Sequence, residues 1–197
     1  VPTGGPVTGR PVAAGNAVLF VSQDATLRAI DPLGGKLLWS LPCGSDLLAA
    51  PVVDGDRAFV GTKAGQVLAV DLTTHKVAWT FPGGSTVTRP VAVSNGSVYF
   101  GNANGWVFAL QRDTGKERWR VDLKSPVTGG IALYEDLLVV GARDGNLHVL
   151  HRDDGAPQWR LQTRGPVNGI PALDESMLYV GSDDGQLYAT DLRSSAR

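Results

Sequence analysis

The chain has 197 residues, enough for one domain with a sizeable core. Its 18 Lys plus Arg against 19 Asp plus Glu give a net charge of -1, so it lacks the basic balance that nucleic-acid binding needs. Hydrophobic residues make up 43% and charged residues 19%, which excludes a disordered chain and a coiled coil. No run approaches the ~18 consecutive apolar residues of a membrane-spanning helix. Cys43 is the single cysteine, so no internal disulfide forms, and a periplasm and a cytosol both suit it. The opening VPTGG has no basic start and no apolar run. It shows no signal peptide and reads as the start of a processed or excised chain.

A 40-residue period organises everything after that opening. Trp39, Trp79, Trp119 and Trp159 are 40 apart, and only Trp106 is out of phase. Gly61, Gly101, Gly141 and Gly181 form a second column, and Gly65, Gly105, Gly145 and Gly185 a third. Apolar pairs such as Val67/Ala69 and Val107/Ala109 form a fourth. A period near 40 signals a propeller or a helical solenoid.

The pattern inside each copy decides between them. The second copy reads as four strands: LLAAPVV (47–53), RAFVGT (57–62), QVLAVD (66–71) and KVAWTF (76–81). Asp54-Gly55-Asp56, Ala64-Gly65 and Thr73-Thr74-His75 punctuate them. The third copy turns at Ser94-Asn95-Gly96, Asn104-Gly105 and Asp113-Thr114-Gly115. No segment carries a helical stripe. The expected fold is therefore all-β, a β-propeller of about five blades of four antiparallel strands, with the last blade lacking its outer strand. Expected blade limits are 5–44, 45–84, 85–124, 125–164 and 165–197, in one domain. The fifth copy stops before its tryptophan, and Val1-Pro2-Thr3-Gly4 matches only the tail of an outer strand. A five-bladed ring and a piece of a larger propeller both remain open, and an open ring would pair with other chains.

The first strand of each copy is expected to be innermost, because its residues are small where strands converge. It holds Thr8-Gly9-Arg10, Leu48-Ala49-Ala50, Val87-Thr88-Arg89, Thr128-Gly129-Gly130 and Asn168-Gly169-Ile170. Pro11, Pro51, Pro90 and Pro171 follow, where a strand begins or bends. The recurring tryptophans fall on the fourth strand. Alternation puts Leu37 and Leu41, or Val77 and Phe81, on the same face as the indole, packed on the next blade. Charges on the third copy's outer strand, Lys116 to Lys124, discourage edge pairing.

These repeats resemble those of the PQQ-enzyme-like β-propeller family. The resemblance rests on GTKAGQVLAVDLTTHKVAW (61–79), GNANGWVFALQRDTGKERW (101–119), GARDGNLHVLHRDDGAPQW (141–159) and GSDDGQLYATD (181–191). It covers nearly the whole chain. The family includes quinoprotein dehydrogenases, an outer-membrane assembly lipoprotein and sensor-like domains. It implies a propeller of seven or eight blades. Its dehydrogenases imply PQQ, a vicinal cysteine pair and calcium ligands. Its assembly lipoprotein implies protein partners and a periplasmic or cell-envelope location, with a cytoplasmic one still open.

The residues themselves concentrate no catalytic chemistry. One cysteine cannot make a vicinal pair, and no column supplies a calcium set, so neither PQQ nor calcium is expected. Asp24, Asp144 and Asp184 read as turn residues. His148 and His151 point to opposite faces of a strand, and His75 is remote from both, so no zinc site is expected. No nucleophile triad, dinucleotide fingerprint or phosphate loop is present. Candidate surfaces remain. Arg10 and Arg89, with Thr8, Thr128 and Asn168, would line one mouth of a channel and attract an anion or acidic peptide. The plainer reading makes them solvated rim residues. Trp106 and Tyr134 are candidate exposed anchors for a partner. The leading function is a non-enzymatic binding or scaffold module for a protein or peptide. The alternatives are part of a PQQ-dependent dehydrogenase and a ligand-sensing domain.

Overall fold

Each 40-residue copy folds as an antiparallel meander, because alternating apolar residues face two neighbours while Asp and Gly close short turns. The computed structural model describes residues 1–192, with 19 strands and no helix among them. Blade 1 holds β1 (Val12–Ala14), β2 (Ala17–Ser22), β3 (Thr26–Ile30) and β4 (Leu37–Pro42). Blade 2 holds β5 (Val52–Asp54), β6 (Arg57–Gly61), β7 (Gln66–Asp71) and β8 (Lys76–Pro82). Blade 3 holds β9 (Ala92–Ser94), β10 (Ser97–Gly101), β11 (Trp106–Gln111) and β12 (Glu117–Asp122). Blade 4 holds β13 (Val127–Tyr134), β14 (Leu137–Ala142), β15 (Asn146–His151) and β16 (Pro157–Gln162). Blade 5 has three strands, β17 (Ala172–Asp174), β18 (Met177–Gly181) and β19 (Leu187–Asp191). The end of the expected fifth blade, 193–197, lies outside the described residues.

Two details correct the sequence reading. The first is where the inner strands begin. They start after the proline in blades 1, 2, 3 and 5, so 8–10, 48–50, 87–89 and 168–170 are not strand. In blade 2, Leu47 makes only an isolated bridge to Thr62 before β5 starts at Val52. Proline lacks the N–H that a continuous ladder would use. Blade 4 supplies the control. It has Ile131 where blades 1 and 2 have proline, and β13 runs through from Val127 to Tyr134 with a register shift between Val127 and Ile131.

The second concerns the outer strands. Trp79 pairs with Ala69 but Val77 pairs with Val70, which leaves Ala78 as an extra residue. The same shift recurs in blades 1, 3 and 4. A bulge breaks period-two alternation. Leu41, Phe81, Val121 and Leu161 therefore stay on the tryptophan face, half buried. Leu37 and Val77 turn outward, 41% and 39% exposed.

Blade-to-blade packing follows one scheme. The face carrying the tryptophan meets the back of the next blade. Leu19, Val21, Leu27 and Ala29 of blade 1 pack with Ala58, Val60, Leu68 and Val70 of blade 2. Phe59, Val67, Ala69 and Trp79 of blade 2 pack with Val98, Phe100, Phe108 and Leu110 of blade 3. Trp79 Nε1 donates to the Arg112 carbonyl at 2.8 Å, and Trp119 Nε1 to the Arg152 carbonyl at 3.0 Å. These two indoles each lie on a turn glycine of the following blade. A Cβ on Gly115 would stand 2.6 Å from Trp79, and one on Gly155 2.7 Å from Trp119. The equivalent residue in blade 2 is His75, held at φ 57, whose ring stacks on Trp39 at 4.9 Å.

Arg112 adds a polar tie between blades 2 and 3, reaching Asp54, Asp56 and its neighbour Asp113 with its side chain only 16% exposed.

Among the described residues, the two ends of the arc leave apolar residues uncovered. The inner strands pack in chain order, β1 on β5, β5 on β9, β9 on β13 and β13 on β17. Leu187 of blade 5 is 72% exposed, whereas its equivalents Leu27, Val67, Val107 and Leu147 are 0% exposed. Val7, at the other end, is 45% exposed, whereas its equivalents Leu47, Val87, Val127 and Val167 are at most 4% exposed.

Candidate binding surface

The inner column is the first candidate, and two of its five polar residues, Arg89 and Thr128, join one blade to the next. Arg89 Nε donates to the Thr128 carbonyl at 2.6 Å, across the blade 3–blade 4 boundary. Thr128 Oγ1 donates to the Val167 carbonyl at 3.0 Å, across the next boundary. Asn168 Nδ2 donates to Asp183 at 2.6 Å within blade 5. Thr8 and Arg10 are exposed on blade 1. The structure joins Arg89 to Thr128, and none of these contacts brings Arg10 to Arg89.

Trp106 begins β11 and sits half buried. Its backbone N–H donates to Asn102 Oδ1 at 3.0 Å, as does the N–H of Asn104. Asn102 is 1% exposed, and its Nδ2 donates to the Gly83 carbonyl at 2.7 Å. One buried amide thus satisfies three backbone groups and fixes the loop beneath the indole. The Arg120 guanidinium lies 5.1 Å from the indole centroid, within cation–π range. Phe108 stacks on Phe100 at 4.8 Å, and Phe81 meets Phe108 edge-on at 5.4 Å. Trp106, Phe81, Phe108, Asn104 and Arg120 line a groove of about 250 Å³.

The groove has an aromatic floor, an amide on one side and a cation at its mouth. It can take an apolar side chain and present a guanidinium to a neighbouring acceptor. Trp106 was visible in the sequence because it breaks a polar column. Asn102 and Arg120 were not singled out for this role. The cross-strand register Phe108↔Arg120, beside Trp106↔Asp122, is what places Arg120 there. Tyr134 is half buried and packs with Leu137 and Leu173 in the blade 4–blade 5 core. Its exposure is intermediate, as is that of Trp106.

The turn acids have local roles. Asp24 accepts from Arg28 at 3.1 and 2.6 Å, and from the N–H groups of Gly4 and Thr26. The Arg28 guanidinium holds the Asp24 carboxyl well below the usual carboxylate range. The pair is 12% and 14% exposed. A depressed carboxylate stabilises the fold above its unfolded pKa of about 3.9 and loses that contribution as pH falls through the native value. The urea midpoint of the protein is therefore expected to fall on acidification below about pH 4. Asp24→Asn should start less stable at neutral pH and show a shallower acid dependence. Equal slopes for the two proteins would refute this role.

Among the described residues, no group of three or more His, Cys, Asp or Glu could hold a metal ion. Cys43 is 5% exposed, and burial pushes its thiol up to about 11.

Comparison with solved structures matches this geometry. BamB from Moraxella catarrhalis superposes with a TM-score of 0.85 at 21% identity, over 95% of this chain and 62% of that one. The chain thus spans less than two thirds of that protein. A quinohemoprotein alcohol dehydrogenase from Pseudomonas putida HK5 superposes at 0.83 and 18% identity, over 100% of this chain and 42% of that one. The computationally designed Ika8 protein superposes at 0.70 and 18% identity, over 97% and 72%. At these identities the likeness shows the fold alone. No curated protein sequence matches the chain significantly. The family model described as outer membrane protein assembly factor BamB matches residues 2–110 and 103–197. With both segments matched, the chain belongs to that family of PQQ-repeat propellers.

Proposed function

We propose that the chain is a non-enzymatic, protein-binding scaffold of the bacterial cell envelope. Its partner would dock an apolar or aromatic side chain in the Trp106 groove. The observation that carries this reading is the anchoring of Trp106, with buried Asn102 holding its backbone N–H and Arg120 over the indole. A large amphipathic ring held in place loses little entropy on binding and suits a hot spot. Membership in the family of an outer membrane assembly factor supports protein partners and the envelope. The residues present do not fit a quinone cofactor: the chain has one cysteine where the dehydrogenase resemblance calls for two.

Peptide-display selection tests the reading. Peptides selected on the wild-type protein should be rich in apolar or aromatic residues. They should lose at least about 30-fold in affinity against Trp106→Ala, the loss expected at a hot spot. Trp106→Ala should keep the wild-type unfolding stability, measured in urea, within about 1 kcal/mol, since the ring is only half buried. Selected peptides indifferent to the substitution would remove the groove from consideration. A saturable absorbance change on adding PQQ and calcium would overturn the non-enzymatic reading.

A further inference from the structure

A groove of about 560 Å³ lies at the junction of blades 4 and 5, lined by Arg143 and Arg164. Arg143 sits in the β14–β15 turn and Arg164 in the β16–β17 connection. Both are exposed, and among the described residues neither guanidinium has an acidic partner.

The repeat itself provides the comparison. Lys63 occupies the position of Arg143 two blades earlier, and its Nζ pairs with Asp46 at 3.1 Å. The backbone bond from Lys63 N to the Asp46 carbonyl has its counterpart from Arg143 N to the Pro126 carbonyl, both at 2.9 Å. Pro126 therefore stands where the acid was. Lys124 occupies the position of Arg164 one blade earlier, and its Nζ pairs with Asp122 at 2.6 Å. Gln162 stands in place of that acid. Each cation belongs to a column that is neutralised elsewhere in the same chain. At this one groove both acids are replaced by neutral residues. Two acids beside the groove are already engaged: Asp144 Oδ1 accepts from Asn146 N–H at 2.9 Å and its Oδ2 faces His148 Nε2 at 3.2 Å, while Asp184 Oδ2 accepts from the Arg164 N–H and the Tyr188 hydroxyl, both at 2.8 Å.

We propose that this groove binds an acidic segment of a protein partner in extended conformation, with Arg143 and Arg164 each taking a carboxylate. A second groove of about 400 Å³ shares Gln162 and Arg164 and runs on to Gln186 and Tyr188. Together the two grooves, about 560 and 400 Å³ with two shared lining residues, are larger than a single ion needs, which favours a peptide. Arginine forks suit carboxylates, and two guanidinium groups without acidic partners are free to take them from an acidic chain. The proposal rests on the protein-binding reading but uses a surface separate from the Trp106 groove.

The test is fluorescence anisotropy of a labelled octaglutamate peptide against the whole chain, at low and at physiological salt. Wild-type protein should bind it, and more weakly as salt rises. Arg143→Gln and Arg164→Gln should each weaken binding by about threefold or more, and the double variant by about tenfold or more. Arg118→Gln, at an exposed arginine on β12, should bind as wild type does, as should Trp106→Ala. Absence of binding, or an equal loss in Arg118→Gln, would overturn the proposal. Inorganic phosphate binding as tightly as the peptide would reduce the groove to a simple anion site and also overturn it. Loss of the display-selected peptides with octaglutamate binding intact would sink the Trp106 reading alone.

Discussion

Gly141→Ala is expected to destabilise the protein by about 1–3 kcal/mol, and Gly181→Ala in the same column to change little. A Cβ on Gly141 would stand 2.6 Å from Val167 Cγ1, 3.1 Å from the Gly129 Cα and 3.2 Å from the Val167 carbonyl oxygen. Two of those atoms are backbone, so the blade 4–blade 5 contact must open to admit a methyl group. The column works as a hole into which the next repeat seats a valine: Val87 over Gly61, Val127 over Gly101 and Val167 over Gly141. At Gly181 nothing lies within 4 Å of the added carbon, because among the described residues no side chain is seated over it. Urea unfolding of the two variants measures the difference directly. Equal losses at both positions would mean that something covers the blade 5 face in solution, and similar midpoints for Gly141→Ala and wild type would refute the packing scheme.

Trp79→Ala is expected to cost more, about 3–5 kcal/mol, as large aromatic truncations in cores do. The indole is 9% exposed and lies on Gly115, and its Nε1 is the donor to the Arg112 carbonyl. Phenylalanine restores most of the ring volume but not the donor. Trp79→Phe should therefore fall between, losing about 1–2 kcal/mol. Arg112 also holds Asp54 and Asp56, so the indole bond and the ion cluster meet on one residue. Their losses should not add in the double variant Trp79→Phe/Arg112→Met, since groups sharing a partner couple. Thermal and urea midpoints for Trp79→Ala, Trp79→Phe, Arg112→Met and the double variant give the comparison. A Trp79→Ala protein as stable as wild type would show that the 40-residue tryptophan column does not hold the blades together.

The two surfaces were legible to different degrees. Trp106 announced itself by standing in a polar column, and a tryptophan there is visible without coordinates. The Arg143–Arg164 groove also has a signal in the sequence, the loss of Asp46 to Pro126 and of Asp122 to Gln162. That signal becomes readable only once Lys63–Asp46 and Lys124–Asp122 are known to be pairs. The channel-mouth column of Thr8, Arg10, Arg89, Thr128 and Asn168 was found by alignment of the copies. Alignment could not show that Arg89 and Thr128 spend hydrogen bonds on the neighbouring blades.

The sequence by itself determined the all-β class, the blade number, the turn positions and the short fifth blade. Those follow from local pattern: strand period, turn residues and a repeat that returns every 40 positions. The tertiary structure decided the rest. It placed a bulge before each tryptophan, which sent Leu37 and Val77 outward where alternation put them inward. It began the inner strands after their prolines except at Ile131, where the ladder could continue. It also left Val7 and Leu187 uncovered at the two ends of the arc. Closure depends on whether blade 5 meets blade 1, a contact between residues far apart in the chain. A repeat pattern describes how each copy meets the next and carries no information about how the last meets the first.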